Sequence, residues 1–417
     1  MDFQLTDAQQ LIRDTVRDFA EKELAPIAGE LDRLKQFPDK PLQRLAELGI
    51  LGMTIPPEYG GAGADTVSSC LALMEISRAC ASTAVAVSLH NTLICEIIYR
   101  YGTEAQRRKY LPALCRGEIL GAFSLTESTS GSDAASLRTT AVRQGDHYVL
   151  NGTKLFVTNG SRAGVVILFA SSDLSQGDKG ITAFLVEPSM PGFRVGKREE
   201  KMGLRASDTV ELVLEDCQVP AENRIGGESE GFKIALASLM NGRAGIAAQA
   251  VGIAQACLDA STRYAKERRQ FGQAIAQFQA IQWKLADMAT EIEAARLLTF
   301  RAAARKDRGL PFTAESSMAK LFASEVANRV AYEAVQIHGG YGYLQDFPVE
   351  RYARDARVLT IYEGTSEIHR LIVSRHLLDP SPSPSPRVPH LTQRVPGTRC
   401  GERGPENLGR GEGSETG

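Results

Sequence analysis

The 417-residue chain is short of the patterns that mark several large function classes. Six His are scattered without metal-ligand spacing, so no structural or catalytic metal is expected. Seven Cys, at 70, 80, 95, 115, 217, 257 and 400, make an odd count with no C-x-x-C pair. They read as reduced packing residues of a cytoplasmic protein. No G-x-G-x-x-G occurs, which leaves an NAD-binding βαβ unit unsupported. Lys and Arg number 48 against 50 Asp and Glu, a formal net charge of −2. That balance offers no basic patch for nucleic acid or an anionic membrane. The longest uncharged apolar stretch lies between Arg78 and Glu96 and contains Ser82, Thr83, Ser88, His90 and Asn91. It reads as a buried helix, not a membrane span. The first residues, Met1 to Asp7, are polar and acidic, unlike a signal or transit peptide.

What is present is a chain 43% hydrophobic, long enough for a large core and more than one domain. Residues 1–118 read as helical. Leu11, Ile12, Val16 and Phe19 follow helical spacing, as do Leu42, Leu45 and Leu48. Residues 119–224 change to β character. Asn151-Gly152 lies between the β-prone runs Tyr148–Leu150 and Thr153–Thr158 and reads as a two-residue hairpin turn. Strands are expected at Val165–Ala170, Ile181–Val186 and Thr209–Leu214, giving a compact sandwich or barrel. Residues 225–379 return to long helices that suit a four-helix bundle. Phe232–Glu267 is one helix, or two broken near Gly242 or Gly252; its small residues permit close packing. Residues 380–417 are rich in Pro, Ser and Gly, with mixed charges, and read as a disordered tail. The fold class is therefore mainly α with a central β domain.

Within this frame one stretch carries chemistry. Leu359-Thr-Ile-Tyr-Glu-Gly-Thr-Ser-Glu367 places Glu363 at a flexible Gly joint just before a helix start. Thr365 and Ser366 are N-cap types, and unpaired N–H groups gather at such a joint. Taken alone it is a base beside an anion site, or an ordinary solvated loop Glu. Phe123-Ser-Leu-Thr-Glu-Ser-Thr-Ser-Gly-Ser132 offers hydroxyls and N–H groups around a Gly turn, either a ring or phosphate cradle or a plain Ser/Gly loop. Arg268-Arg-Gln-Phe-Gly272 offers a guanidinium suited to a pyrophosphate, or a solvated helix end.

The order helical, β, helical, ending in Ile361-Tyr-Glu-Gly-Thr-Ser-Glu367, resembles the acyl-CoA dehydrogenase family over residues 1 to 379. Met74–Thr83 and Gln282–Met288 are most similar to its short-chain, butyryl-type, and short-branched-chain members. The resemblance implies FAD as cofactor. Its first flavin segment would be Phe123, Leu125, Thr126, Gly131 and Ser132, with Ser132 also touching CoA. The second would be Phe156, Val157 and Thr158, with Phe156 where the family usually has Trp. Arg268 and Gln279 would contact FAD, and Gln336, Ile337, His338, Gly339 and Gly340 would touch the FAD of a neighbouring subunit. That implies a homotetramer built as a dimer of dimers. Thr365, Ser366 and Glu367 match further flavin contacts, and Met240, Asn241, Gly242, Arg243 and Gly364 match substrate contacts. His338 itself is expected to be packed or solvated.

The implied reaction is oxidation of a short-chain acyl-CoA to its trans-2-enoyl-CoA, with Glu363 taking the α-proton. Electrons would pass to electron-transfer flavoprotein. Some relatives carry the base beside the position of Arg243 instead. Here Asn241 and Gly242 stand there and cannot act as one. Alternatives are an acyl-CoA oxidase, another flavin enzyme on this fold, or a non-enzymatic fold relative.

Overall fold

The computed structural model describes residues 4–378; the Pro/Ser-rich segment lies outside them. Helix α1 (Asp7–Phe19) opens with a capping box, in which Thr6 Oγ1 accepts from the Gln9 N–H and Gln9 Oε1 from the Thr6 N–H. Val16 and Phe19 are buried and Ile12 packs against the core, but Leu11 is 68% exposed and falls outside the buried stripe. Helices α2 (Ala25–Leu34), α3 (Asp39–Glu47) and α4 (Thr66–Ala79) follow. The uncharged stretch forms α5 (Ala81–Leu89), a π-helical segment His90–Cys95 and α6 (Glu96–Tyr101). Ala81–Tyr101 is long and apolar enough to cross a membrane, yet its most apolar window is wholly buried inside the fold. Thr103 then caps α7 (Glu104–Cys115) with a second capping box.

The middle section forms one eight-stranded sheet. Its strands are β1 (Leu120–Ser124), β2 (Thr140–Gln144), β3 (His147–Thr158), β4 (Ala163–Ser171), β5 (Ile181–Val186), β6 (Phe193–Arg198), β7 (Thr209–Pro220) and β8 (Arg224–Ile225). They run β6-β7-β3-β2-β4-β5-β8, with β1 parallel to β4. Both faces of β4 are buried. Val165, Ile167 and Phe169 pack toward α6, α7 and α8, and Val166, Leu168 and Ala170 into the sheet's other apolar layer.

The Asn-Gly pair is not the hairpin turn. The β2–β3 turn is Gly145-Asp146, between the paired Gln144 and His147, with Gly145 at φ +64°. Asn151-Gly152 sits inside β3 at a register shift against β7. The Asn151 amide donates to Asp216 and accepts from the Asp216 N–H, so it closes a bulge. A Cβ on Gly152 would lie 2.4 Å from Thr139 Oγ1, which accounts for the glycine. The turn-forming pair was real as a backbone irregularity, but it bends a strand instead of ending one.

Helix α8 (Gly231–Glu267) runs unbroken through Gly242 and Gly252. After a short hairpin, β9 (Arg269–Gln270) with β10 (Gln273–Ala274), come α9 (Gln279–Asp307), α10 (Thr313–His338), α11 (Val349–Ala356) and α12 (Ser366–Leu378). The glycines in α8 serve packing. A Cβ on Gly252 would lie 2.4 Å from Met74 O, so the helix could not approach α4 this closely with any other residue. N- and C-terminal helices thus share one apolar core, in which Leu73, Ile76, Ile246, Val251, Val326 and Val330 are buried together.

The six cysteines among the described residues are free and buried. His90, at the head of the π segment, has no exposed surface. Its Nδ1 accepts from the Gly121 N–H at 3.3 Å, which leaves Nε2–H to donate to Leu114 O at 3.1 Å. Burial pushes its pKa down to about 4. A histidine depressed below its ordinary value of about 6.5 contributes stability above that value and loses it as pH falls toward 4. Thermal unfolding from pH 6.5 to 4.5 should therefore fall more steeply in the native protein than in His90→Gln, which keeps a donor and an acceptor but cannot titrate.

Candidate active site

The Glu363–Gly364 joint links a 3-10 turn (Arg357–Thr360) to α12. Both residues are left-handed, Glu363 at φ +49° and Gly364 at φ +97°. A non-glycine residue there carries about 1 kcal/mol of backbone strain, so its surroundings must hold it. Ahead of the joint, the Tyr362 hydroxyl donates to Gln249 Oε1 at 2.6 Å, and Gln249 Nε2 donates to Ala81 O at 2.9 Å. Behind it, Thr365 is the N-cap of α12, with Oγ1 accepting from the Ile368 N–H at 3.3 Å. At the joint itself, Lys320 Nζ on α10 donates to Gly364 O at 2.6 Å.

This turn aims the Glu363 side chain at α8. A Cβ on Gly242 would lie 2.2 Å from Glu363 Oε2 and 3.3 Å from Leu93 Cδ2. Gly242 therefore makes the room the carboxylate occupies, and Leu93 helps wall it from water. Glu363 Oε2 is buried and has no hydrogen-bond partner among the described residues. Burial raises its pKa to about 7, partly offset by the charges of Lys320 and Arg243. Arg243 is buried, and burial lowers it to about 10, still charged at neutral pH. Its Nη1 donates to Ser317 Oγ at 3.2 Å while its Nε has no partner. Neither cation forms an ion pair with Glu363 among the described residues. His369 packs its ring under Gly364 and makes no hydrogen bond through either nitrogen. Burial holds it near pKa 3, so it is neutral. The backbone N–H of Glu363 likewise donates to no acceptor among the described residues.

The two segments expected to line a flavin ring meet. The Leu155 N–H donates to Thr126 O at 2.9 Å. A buried ion pair fastens them, with Lys154 Nζ 2.7 Å from Glu127 Oε1 and 3.2 Å from Leu125 O. Glu127 also accepts from the Arg138 and Thr139 N–H groups. Phe156 is left-handed, at φ +56°, and 62% exposed, so it is no core strand residue. Val157 points into the sheet core and Thr158 is half-buried. Phe123 packs on Phe169, Leu125 is buried, and Gly131 and Ser132 are exposed. Among the remaining substrate candidates, Asn241 is buried and Met240 Sδ accepts from Thr313 Oγ1.

The other expected flavin residues gather elsewhere. Arg268 lies 5.3 Å over the Tyr341 ring and pairs with no carboxylate among the described residues. His338 is buried, stacked on Tyr264 at 4.3 Å, with its Nδ1 2.8 Å from Ala334 O. It is packed, as expected. Ile337 is buried; Gln279, Gln336, Gly339 and Gly340 are exposed. Helices α8 and α10 run parallel, since Arg243 meets Ser317 at one end and Tyr264 meets His338 at the other, 21 residues on in both. At 1.5 Å per residue the two groups lie roughly 30 Å apart.

The residues present suit a flavin nucleotide. An exposed aromatic face at Phe156, open space at Gly131, Gly339 and Gly340, an unpaired guanidinium at Arg268 and a buried unsatisfied hydroxyl at Ser366 are what such a ligand would complete. A buried base candidate on a helical and β scaffold of this kind is the arrangement of a flavin-dependent oxidoreductase. The chain belongs to the acyl-CoA dehydrogenase family. Its N-terminal, middle and C-terminal domains match residues 6–118, 122–217 and 229–378. It is 50% identical over 375 residues to the short-chain specific acyl-CoA dehydrogenase, mitochondrial, of Mus musculus, covering 90% of this chain and 91% of that one. A solved chain described as "Electron transferring flavoprotein of Acidaminococcus fermentans: Towards a mechanism of flavin-based electron bifurcation" superposes with TM-score 0.90 at 50% identity, over 91% of this chain and all of that one. Acyl-CoA dehydrogenase from Bacillus anthracis, solved in complex with FAD, has TM-score 0.85 at 38% identity, over 90% of this chain and 67% of that one. The protein is thus an FAD-dependent oxidoreductase of acyl-CoA metabolism.

Sequence reasoning did not single out Lys320, His369 or Gln249. For Lys320 a signal existed, a lone lysine among the small apolar residues of α10, but it is equally the mark of a snorkelling surface residue. Gly242→Ala should test the geometry. The methyl must displace the Glu363 carboxylate, and a displacement of about 1 Å costs on the order of 100-fold in rate. Stopped-flow reduction of the flavin by acyl-CoA should slow by that much while bound FAD per chain is unchanged.

Proposed function

We propose that the protein removes two hydrogens from a short-chain acyl-CoA to give the trans-2-enoyl-CoA, with Glu363 as the base that takes the α-proton. One observation carries this: the Glu363 Oε2 is buried, unpartnered and raised to about 7, beside its own free N–H. An oxygen with no hydrogen bond is free to accept a proton, and poor solvation of its charged form makes it a stronger base. The α C–H is a very weak acid, so negative charge must also be stabilised as it develops on the thioester oxygen. The Glu363 N–H supplies a donor for that oxygen, preorganised by the left-handed turn. Gly364, without a side chain, lets the acyl group approach that backbone. Arg243 and Lys320 keep the neighbourhood positive without neutralising the base through an ion pair.

When bound, FAD supplies the two-electron acceptor that breaking the β C–H bond requires. Its ring would lie along Thr126 and Phe156–Thr158, held by Leu125, Gly131, Ser132 and the Thr365–Glu367 cap. Arg268, Gln279 and the Gln336–Gly340 turn lie roughly 30 Å along α8 and α10 from Glu363. That separation supports their serving the FAD of a second subunit, hence an oligomer, as a tetramer built of dimers requires. Short-chain preference follows the relative named for it, and electron-transfer flavoprotein as electron acceptor follows the structural likeness described above. A cytoplasmic location is proposed from the sequence reading. Peroxide yield against dye reduction separates a dehydrogenase from an oxidase.

The direct test is Glu363→Gln. It should keep FAD and bind butyryl-CoA, yet lose flavin reduction by about 1,000-fold or more. In the native enzyme kcat should rise with pH through a limb near 7, where the carboxylate ionises. A variant reducing its flavin at the native rate would overturn the assignment. Titration with acyl-CoAs of increasing length and branching fixes the substrate.

A further inference from the structure

Lys320 has no exposed surface, an expensive place for an ammonium. Its hydrogen bond among the described residues is not to a carboxylate but to the carbonyl of Gly364. We propose that Lys320 is a positioning residue for Glu363: it grips the Gly364 carbonyl, holds the left-handed turn that aims the carboxylate, and supplies part of the positive field around it. This rests on Glu363 being the base.

The other groups around the turn act mainly to either side of that peptide. The Tyr362–Gln249 bond anchors the residue before it, and the Thr365 cap anchors the residue after it. Neither touches the peptide between. The neutral His369 ring also lies against Gly364, but its approach to the Glu363 and Gly364 carbonyls falls short of hydrogen-bond geometry among the described residues, so it restrains the peptide less than the 2.6 Å bond from Lys320. Arg243 contributes charge from α8, yet its hydrogen bond goes across to Ser317 on α10. The π segment contributes Leu93, which is uncharged. Tyr362 stays a neutral phenol because burial raises it far above its ordinary value. Glu367, on the first turn of α12, is exposed and only weakly opposes the positive field. Lys320 thus makes the hydrogen bond that ties the strained peptide to a long rigid helix. Its own pKa is lowered to about 7, chiefly by burial, with the charge of Glu363 offsetting part of the fall.

Two variants of the holoenzyme separate grip from charge. Lys320→Met removes both, and Lys320→Gln keeps an amide donor of similar reach but removes the charge. Without the positive neighbour a protonated Glu363 is favoured, so in both variants the acid limb of kcat should move about one pH unit higher. On the alkaline plateau Lys320→Met should turn over 10- to 100-fold more slowly than native. Lys320→Gln should recover most of that, with butyryl-CoA KM changing less than kcat and FAD content near native. An unmoved limb in Lys320→Gln overturns the proposal, and so does native turnover in both variants. If Lys320→Met yields no holoenzyme, the limb of Lys320→Gln decides alone. An inactive Glu363→Gln beside an unmoved limb in Lys320→Gln would reject only the role of Lys320. An active Glu363→Gln would reject the base itself.

Discussion

Burying a carboxylate without a hydrogen bond is costly, and proteins rarely tolerate it. The Glu363 Oε2 is such a group, and much of the surrounding structure follows from keeping it there. Three restraints act on it. The left-handed turn sets its direction, Gly242 provides the space, and Leu93 closes the apolar wall. Two buried cations lower the cost of the negative charge without bonding to it. Were either to form an ion pair, the carboxylate would be stable but a poorer base, because the proton it must take would have to compete with a fixed positive charge. Their placement on Gly364 O and Ser317 Oγ instead keeps the field and leaves the lone pair free.

Such a site needs a stiff frame, and α8 and α10 provide it. The two helices run parallel and in register over 21 residues, from the Arg243–Ser317 contact to the Tyr264–His338 stack. Glycine inside α8 costs about 1 kcal/mol each relative to alanine. That cost is offset where Gly252 lets the helix lie against α4 and Gly242 leaves room for the carboxylate. The two ends of this frame differ in chemistry at a fixed separation, with Arg243 and Ser317 at one and Tyr264 and His338 at the other.

How much of this the sequence showed depends on the kind of signal. The helical, β, helical order and the Glu363 joint were legible because periodicity and cap residues are local. Asn151-Gly152 was misplaced because the φ preference of glycine suits a bulge as well as a turn, and only the long-range partner Asp216 decides between them. Leu11 was grouped with Ile12, Val16 and Phe19 because an apolar pair leaves the edge of a helical face undefined; only Ile12 of the pair packs on the core. Phe156 was matched to a flavin contact by resemblance alone; its left-handed backbone, which turns the ring outward, is set by the bulged pairing of β3 with β7.

Gln249 gave no sign in the sequence and Lys320 only an ambiguous one, for a different reason. Each acts on a backbone or side chain far off in sequence, Gly364 and Tyr362 respectively, and the partner is a carbonyl or a hydroxyl that any residue order could present. Residues that do chemistry advertise themselves by type; residues that hold them advertise only by being polar where water is absent. In this fold that second sign is informative. A lysine without exposed surface must have either a partner or a pKa shift, and Lys320 has both, pointing to the peptide that follows Glu363. Glu127 and Lys154 meet the same test in the sheet, where a buried pair joins the loop after β1 to β3 across 27 residues of sequence. Breaking one partner of such a pair leaves an uncompensated buried charge. The loop that carries Glu127 and the turn that carries Glu363 are therefore held by the same device, a buried lysine from one element closing on a loop of another.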